Sequence, residues 1–303
     1  MLASNGALTS TNAVPTLDFM SAASAAYRFQ LLRQTPSISL GRSDHPCRES
    51  LCDSEEQAAE HYQINLIERG WFQLQHGKRK WTLGPGSVFI NRPGDLYRYV
   101  HLPHLEPDVC LSVGYFANSD REFMKAFRAL SLVVPRTNRL AFLQLQLCSG
   151  SALENQLSLE TLAYEFVSAA QSARADRHHL YQPQQLSWYA EKIHAVRQAL
   201  DNRFVEQHSL QKLASSVAMS PFLLARIFRE LIGVPPHQYL IRVRLKRACA
   251  MLEDGSSVTN ACYDSGFNDL SHFIHTFWAH FDCSPSTLKA SCRGSSKNRT
   301  LCA

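Results

Sequence analysis

The feature that most constrains the fold is a repeat near the C-terminal end of the chain. Its two copies, Leu213–Pro236 and Cys262–Pro285, read LASSVAMSPFLLARIFRELIGVPP and CYDSGFNDLSHFIHTFWAHFDCSP. Equivalent positions lie 49 residues apart, and the pairs are Leu224 with Phe273, Phe228 with Phe277, and Pro236 with Pro285. One residue of slip falls in the turn, where Ser220 matches Asn268 rather than Asp269. We therefore predict that both segments fold in the same way.

Each copy carries the signals of a short helix, a tight turn and a capped second helix. Ser220 followed by Pro221 is a strong helix start, and Gly233 is a typical stop. The turns are predicted near residues 217–219 and 265–267, and a longer helix from Pro235 to Asp254 separates the copies. This is the pattern of a helix-turn-helix unit, whose second helix enters the major groove of DNA. If the two second helices lie about one duplex turn apart, roughly 34 Å, one chain can read two successive groove segments.

The same region resembles the DNA-binding domain of AraC/XylS-type transcription regulators. The resemblance covers Leu210 to Lys289. It rests on LAxxxxMSPxxLxRxFxxxxGxxPxxYLxxxRLxxAxxxL from Leu213 to Leu252, and on GFxDxSHFxxxFxxxFxxSP from Gly266 to Pro285. It implies a sequence-specific DNA-binding regulator, of effector-responsive activator type, that binds double-stranded promoter DNA and recruits RNA polymerase.

Carried over position by position, the resemblance assigns DNA contacts to the outward faces of the two second helices: Phe222, Leu223, Ala225 and Arg226, and Leu270, Ser271, Ile274 and His275. It assigns the inward positions to the core: Leu224, Ile227, Phe228, Phe273 and Phe277. His275 stands where the family often has arginine, and residues 278–280 replace a commonly basic run. We therefore expect the second helix to hold DNA less tightly, or through apolar contact with thymine methyl groups.

The charge distribution agrees with a polyanionic partner at this end of the chain. Residues 190–303 hold 14 Lys/Arg and 9 Asp/Glu, which accounts for the whole formal charge of +5. Four basic residues of the long helix either bind phosphate or only keep it solvated: Arg242, Arg244, Lys246 and Arg247. Taken alone, so modest an excess indicates little.

The front part of the chain has a different pattern. Short alternating runs between Phe29 and Val113 are separated by turn signals, which predicts strands. The resemblance implies a cupin-like β-barrel or sandwich that senses a small molecule or dimerises. Helical spacing from Asp120 to about Ala175 indicates an α+β appendage, either core packing or a homodimer surface. The predicted organisation is a flexible leader at 1–26, the cupin-like domain at 27–180, a linker at 181–187, the all-α domain with two helix-turn-helix units at 188–292 and a tail at 293–303.

Nothing in the sequence predicts catalysis. No nucleophile motif, phosphate-binding loop or dinucleotide fingerprint is present. Cupin enzymes bind metal through an HxH pair, which the chain lacks; His101, His104 and Glu106 form the nearest cluster and fall in a loop. We expect no enzyme activity, catalytic residue, cofactor or metal site, and the effector-binding residues remain unassigned. Two alternatives stay open: a cupin-type metal enzyme with an accessory DNA-binding tail, and a protein-interaction module that binds no DNA.

The remaining expectations concern the cellular context. The first twenty residues lack the basic head and apolar stretch of a secretory signal, and no run is long enough to span a membrane. The nine cysteines are scattered without CxxC spacing, so we predict reduced thiols. Together these features predict a cytoplasmic protein without a membrane partner.

Overall fold

A computed structural model describes residues 28–45, 56–101, 106–116, 121–148, 156–173 and 180–294. The chain divides into two compact units, Met1–Leu180 and Tyr181–Ala303. The predicted leader at 1–26 and most of the predicted tail lie outside the described residues, as does His104.

The front unit is built on two antiparallel sheets. The strands are β1 (Arg28–Gln34), β2 (Ile38–Asp44), β3 (Gln57–Ala58), β4 (Tyr62–Arg69), β5 (Phe72–His76), β6 (Arg79–Leu83), β7 (Val88–Asn91), β8 (Leu96–Val100), β9 (Val109–Tyr115) and β10 (Val133–Val134). One sheet has the order β1-β2-β9-β4-β7-β10 and the other β3-β8-β5-β6. The predicted β-rich front domain is confirmed. Four glycines between its strands, Gly70, Gly77, Gly86 and Gly94, have a positive φ that turns accept readily at glycine.

The two sheets face each other across a shared core. Ile67, Phe89 and Cys110 of the six-stranded sheet pack with Phe72 and Leu74 of the four-stranded sheet. Because side chains alternate along a strand, this cluster fixes which residues of each strand point between the sheets. The opposite face of the six-stranded sheet holds buried apolar residues as well, such as Leu111 and Val113.

Within the described residues of the front unit, three helices come after β9, with β10 between the first two: α1 (Arg121–Arg128), α2 (Asn138–Leu147) and α3 (Gln156–Ser172). Tyr115 of β9 packs edge-on against Phe127 of α1, and its hydroxyl donates a hydrogen bond to the Ala163 carbonyl of α3 at 2.8 Å. The appendage therefore covers the sheet. On α3, Leu157 lies on the solvent side and is 69% exposed. Leu159, Ala163 and Phe166 form the buried side.

The second unit contains only helices within the described residues. They are α4 (Pro183–Asn202), α5 (Leu210–Ser216), α6 (Pro221–Ile232), α7 (Pro236–Glu253), α8 (Val258–Asp264), α9 (Leu270–Phe281) and α10 (Pro285–Gly294). The predicted all-α domain is confirmed. The linker predicted at 181–187 is instead helical from Pro183 onward, because proline is favoured at the first position of a helix.

The long helix α7 joins the two halves of this unit. It contacts α4 and α6 on one side and α8 and α10 on the other. Leu245, Ala248 and Leu252 of α7 are buried with Phe273 and Phe277 of α9 in one apolar cluster. The separate predicted helix pairs are thus braced by a common element.

Two further observations bear on the predicted context. No helix in the described part of the chain is long and apolar enough to cross a membrane. Four described cysteines, Cys110, Cys148, Cys262 and Cys283, are free thiols, whereas Cys249 takes part in a disulfide. The prediction of reduced thiols was therefore wrong for Cys249, since pairing depends on proximity in the fold and leaves no mark in sequence spacing.

Candidate nucleic-acid interface

The first helix pair, α5 and α6, turns at Ala218. Its φ of 55° lies in the left-handed region, and the amide of Met219 donates to the Ala214 carbonyl at 3.0 Å. The hydroxyl of Ser220 then accepts from the Leu223 amide at 3.2 Å and caps α6. The turn and cap together fix the direction in which α6 leaves the pair.

The second pair, α8 and α9, repeats this geometry. Gly266 has a φ of 90°, and the Phe267 amide donates to the Cys262 carbonyl at 3.1 Å. Asp269 caps α9, accepting from the His272 amide at 2.6 Å. Our residue matching in the turn was wrong, because the structural equivalent of Ser220 is Asp269 and not Asn268. The extra residue of the second copy falls between the left-handed position and the cap.

Helix α6 separates its buried and exposed faces as predicted. Leu224, Ile227 and Phe228 are fully buried, whereas Phe222 is 79% exposed and Arg226 is exposed. The other two predicted contacts, Leu223 and Ala225, are intermediate in exposure and flank that face.

Helix α9 also buries its predicted core residues, Phe273 and Phe277. Of its predicted contacts, Ser271, Ile274 and His275 are exposed. Leu270 is different, because it packs in part against the apolar cluster of α7 and α9. The inward lean of Leu270 follows from helix geometry, since it lies on nearly the same side as Phe273 and Phe277.

Two further exposed residues on these helices were not among the predicted DNA contacts. Arg229 follows Phe222 and Arg226 along one side of α6, and Trp278, which is 55% exposed, follows Ser271 and His275 along α9. Both stripes have the spacing i, i+4 and i+7, which places their members on one helix face. The 49-residue repeat was the signal that could have found them, because it aligns Arg229 with Trp278.

The basic residues of α7 do not all remain available to DNA. Arg244 donates from Nε to the Phe204 carbonyl at 2.8 Å and from Nη2 to the Glu206 carbonyl at 3.0 Å. Arg247 lies over the Phe204 ring at 5.3 Å. Arg242 and Lys246 are exposed. The structure thus gives Arg244 a role inside the unit, holding the segment after α4.

In the front unit, the inward side of the six-stranded sheet is polar over part of its length. Asn65 faces Ser112 across the β4–β9 pair and accepts a hydrogen bond from the Ser112 hydroxyl at 2.7 Å. The amide of Asn91 donates to the Tyr99 hydroxyl at 3.1 Å. Asn65 is 4% exposed, and within the described residues its Nδ2 has no hydrogen-bond partner. Such a group in a β domain is suited to a polar ligand.

A cluster of possible metal ligands lies elsewhere in the front unit. His45, His101 and Asp108 bring their ligand atoms within 4.8 Å of one another. Although burial opposes its ionisation, hydrogen bonds with His101 and His45 hold the pKa of Asp108 well below its usual range. The sequence had grouped His101 with His104 and Glu106. The structure leaves Glu106 exposed and joins His101 to His45, just after β2, and Asp108, just before β9.

Comparison with known proteins agrees with both halves of this architecture. A family model described as a helix-turn-helix domain matches residues 213–291, which span both helix pairs. A second, described as an AraC-like ligand binding domain, matches residues 53–167. The chain belongs to the AraC/XylS-type family. This AraC/XylS-type regulator is therefore a sequence-specific DNA-binding protein with a ligand-binding domain in front of its helix-turn-helix units.

Transcriptional activators are among the proteins to which this chain is similar. The HTH-type transcriptional activator RhaS of Shigella dysenteriae serotype 1 is 24% identical over 255 residues, covering 78% of this chain and 88% of the relative. RhaS of Escherichia coli O157:H7 is 23% identical with the same coverage.

Solved structures with some likeness include two bacterial proteins. A transcriptional regulator with an AraC-type DNA-binding domain from Chromobacterium violaceum is 25% identical, covering 36% of this chain and 96% of that chain at a TM-score of 0.33. Fatty-acid-bound ToxT from Vibrio cholerae is 12% identical, covering 88% and 99% at a TM-score of 0.32.

Proposed function

We propose that the AraC/XylS-type regulator activates transcription by inserting α6 and α9 into successive major-groove segments of promoter DNA. The observation that carries this proposal is the matched pair of exposed stripes, Phe222-Arg226-Arg229 on α6 and Ser271-His275-Trp278 on α9. Each stripe lies opposite a fully buried side that fixes its helix in the unit. A helix held in this way presents its outer side chains in a defined register, as base readout requires.

On α6, the chemistry of the stripe fits direct readout. Arg226 carries a planar fork of donors that can pair with O6 and N7 of guanine, worth about 1–3 kcal/mol of discrimination. Phe222 is a large apolar side chain exposed near the start of α6, and exposure of so much apolar area costs free energy unless a partner covers it. Contact with a thymine methyl group would cover it.

The proposed contact residues of α9 carry fewer charges and more apolar surface than those of α6. His275 and Ser271 offer hydrogen bonds, while Ile274 and Trp278 offer exposed apolar surface. The α9 half-site is therefore expected to tolerate salt better than the α6 half-site, because fewer cations are available there to neutralise phosphate.

The decisive experiment selects binding sites from randomised duplexes with the full chain and with Arg226→Ala. We expect the variant to lose guanine preference at one position and to bind the selected site about tenfold or more weakly. Arg98→Ala is the charge-matched control, because Arg98 is an exposed residue of β8 in the front unit. Equal affinity and equal preference for wild type and Arg226→Ala would exclude this contact.

The same binding assay, repeated at several salt concentrations, distinguishes a DNA-binding protein from the protein-interaction alternative. Binding that neutralises several phosphates falls steeply with salt, so log affinity should decrease linearly with log salt concentration. A protein-interaction module would show no salt-dependent affinity for any duplex.

We further propose that the effector is a small polar molecule bound between the sheets of the front unit. Support comes from the inward polar residues of β4, β7, β8 and β9: Asn65, Asn91, Tyr99 and Ser112. Asn65 Nδ2, which has no hydrogen-bond partner in the described part of the chain, offers a donor at this position, and a ligand acceptor would satisfy it.

Three finer points complete the proposal. We infer that the regulator acts by binding and not by catalysis, that it recruits RNA polymerase, and that it works as a homodimer. Exposed Leu157 on α3 supports self-association, because this apolar side chain is 69% exposed in the single chain and a second copy would cover it. Sedimentation of the full chain and of Leu157→Glu checks the dimer: we expect the variant to sediment as a monomer at concentrations where wild type is dimeric.

A further inference from the structure

Three strand ends from both sheets meet at the cluster of His45, His101 and Asp108. His45 follows β2, His101 follows β8, and Asp108 immediately precedes β9. The amide of His45 donates to the Asp108 carbonyl at 3.1 Å, which aligns the first and third of these segments. Sequence spacing could not show this grouping, because the three residues are separated by 56 and 7 positions.

Asp108 is the centre of the cluster. Its two carboxylate oxygens face different imidazoles: Oδ2 lies 3.0 Å from His45 Nδ1, and Oδ1 lies 2.7 Å from His101 Nε2. The carboxylate is only 1% exposed, and a buried carboxylate needs a positive partner or several donors. The Sγ of Cys110 adds a fourth group, 3.3 Å from Oδ2.

The backbone around Asp108 is built to bring it inward. Gly70, in the turn after β4, has a φ of 74°, and a Cβ on it would lie 2.2 Å from the Pro107 carbonyl oxygen and 2.5 Å from Asp108 Cα. Only glycine permits this approach. His101 in turn lies 6.0 Å from the Phe72 ring, so the apolar core closes one side of the cluster.

We propose that His45, His101 and Asp108 bind one divalent transition-metal ion, with zinc as the best-fitting ion. Two imidazoles and one carboxylate form a donor set that zinc takes at about 2.0–2.2 Å, with a fourth position left for solvent or another ligand. Such a site needs neighbouring ligand atoms about 3.4 Å apart, and the present separations of up to 4.8 Å require only small side-chain rotations. The ion would clamp the ends of β2, β8 and β9, and it neither requires nor follows from the proposed DNA contacts.

The test uses the full-length regulator freed of metal by a chelator that is then removed. Zinc is added as the chloride, and its binding is followed by competition with a chromogenic zinc indicator. We expect one equivalent to bind, and the melting temperature to rise by about 3 °C or more under excess zinc. Cobalt(II) replaces zinc in a parallel titration, in which the visible absorption reports the coordination number.

The variants are Asp108→Asn and His45→Gln. Each should weaken zinc binding by about 100-fold or more, since even residues outside the ligand shell contribute 10- to 100-fold. His45 is the most exposed of the three, so His45→Gln leaves the buried His101–Asp108 contact in place and keeps the fold testable. His61→Gln is the matched control, because His61 is a partly exposed histidine of the same unit outside the cluster.

Two results would overturn the proposal. One is less than half an equivalent of zinc bound by the wild-type chain with no rise in melting temperature, which would leave the cluster as a metal-free hydrogen-bond network. The other is zinc affinity unchanged in both His45→Gln and Asp108→Asn, which would assign any bound ion to other residues. DNA binding is measured separately on the same metal-free samples, so either result leaves the proposed function standing.

Discussion

Tyr181, the first residue of the helical unit, donates a hydrogen bond from its hydroxyl to Oε2 of Glu230 on α6 at 2.6 Å. Burial, followed by this bond, raises the pKa of Tyr181 above its ordinary value, while the charge of Arg226 opposes the rise. The ring of Tyr181 also packs edge-on against Tyr189 of α4 at 4.9 Å. The segment that enters the helical unit is therefore anchored on the helix that carries Arg226.

Loss of this anchor has a defined cost. We expect Tyr181→Phe to lower the free energy of unfolding by about 1 kcal/mol, because Glu230 loses a donor in a partly buried place. Urea unfolding of the full chain, followed by far-ultraviolet circular dichroism, measures the change. Tyr189→Phe is the control, since among the described residues its hydroxyl accepts only a long 3.5 Å hydrogen bond from Gln185 Nε2. Equal stability of Tyr181→Phe and wild type would show that the bond contributes nothing.

Substitutions at the left-handed positions of the two turns should have opposite effects on stability. Ala218 has a left-handed backbone conformation, which is strained for a residue with a Cβ atom. Ala218→Gly should therefore stabilise the folded chain by up to about 1 kcal/mol. The gain is limited because glycine also has more conformational freedom in the unfolded chain. Gly266→Ala should destabilise it by about 2 kcal/mol or more. Its Cβ would lie 2.9 Å from Val205 Cα and 3.0 Å from the Phe204 carbonyl oxygen.

Denaturant midpoints of these two variants provide the measurement. The opposite signs make the comparison its own control, because both substitutions alter the same position of the same turn type. If both variants lost stability, the shared turn geometry would not hold.

Substitution of Arg244 tests whether this arginine of α7 has a structural role or contacts DNA. Arg244→Ala removes two hydrogen bonds to the carbonyls of Phe204 and Glu206, and we expect a loss of about 2 kcal/mol in unfolding free energy. Arg242→Ala, which alters an exposed arginine of the same helix, should change stability by no more than about 0.5 kcal/mol. An unchanged stability of Arg244→Ala together with weaker DNA binding would instead make Arg244 a phosphate contact.

Asn65 provides a test of the polar effector site. A library of small polar metabolites is screened for compounds that raise the melting temperature of the wild-type regulator. Asn65→Leu keeps the side-chain size but removes its hydrogen bonds, so the affinity for such a compound should fall about tenfold or more. Gln73→Leu is the control, because Gln73 lies on β5 between the inward-facing Phe72 and Leu74 and points away from the core. A compound that binds Asn65→Leu and wild type with equal affinity occupies a different site.

Much of the helical unit could be predicted from the chain because its signals are local. Caps such as Ser220 and the spacing of Leu224, Ile227 and Phe228 depend on residues within one or two turns, and they fix both the helices and their buried sides. The 49-residue repeat then duplicates the result. Where local signals competed, as between Asn268 and Asp269, only the folded turn chose the cap.

The sequence by itself determined the two-unit organisation, the helix-turn-helix pairs and the family, since all three depend on periodicity and short-range motifs. Tertiary structure alone decided the use of Arg244 inside the fold, the anchor between Tyr181 and Glu230, and the meeting of His45 with His101 and Asp108. The physical reason is that these contacts join residues far apart in the sequence. Which distant segment lies beside the end of a strand or helix depends on how the sheets and helices pack. No spacing along the chain encodes that neighbour.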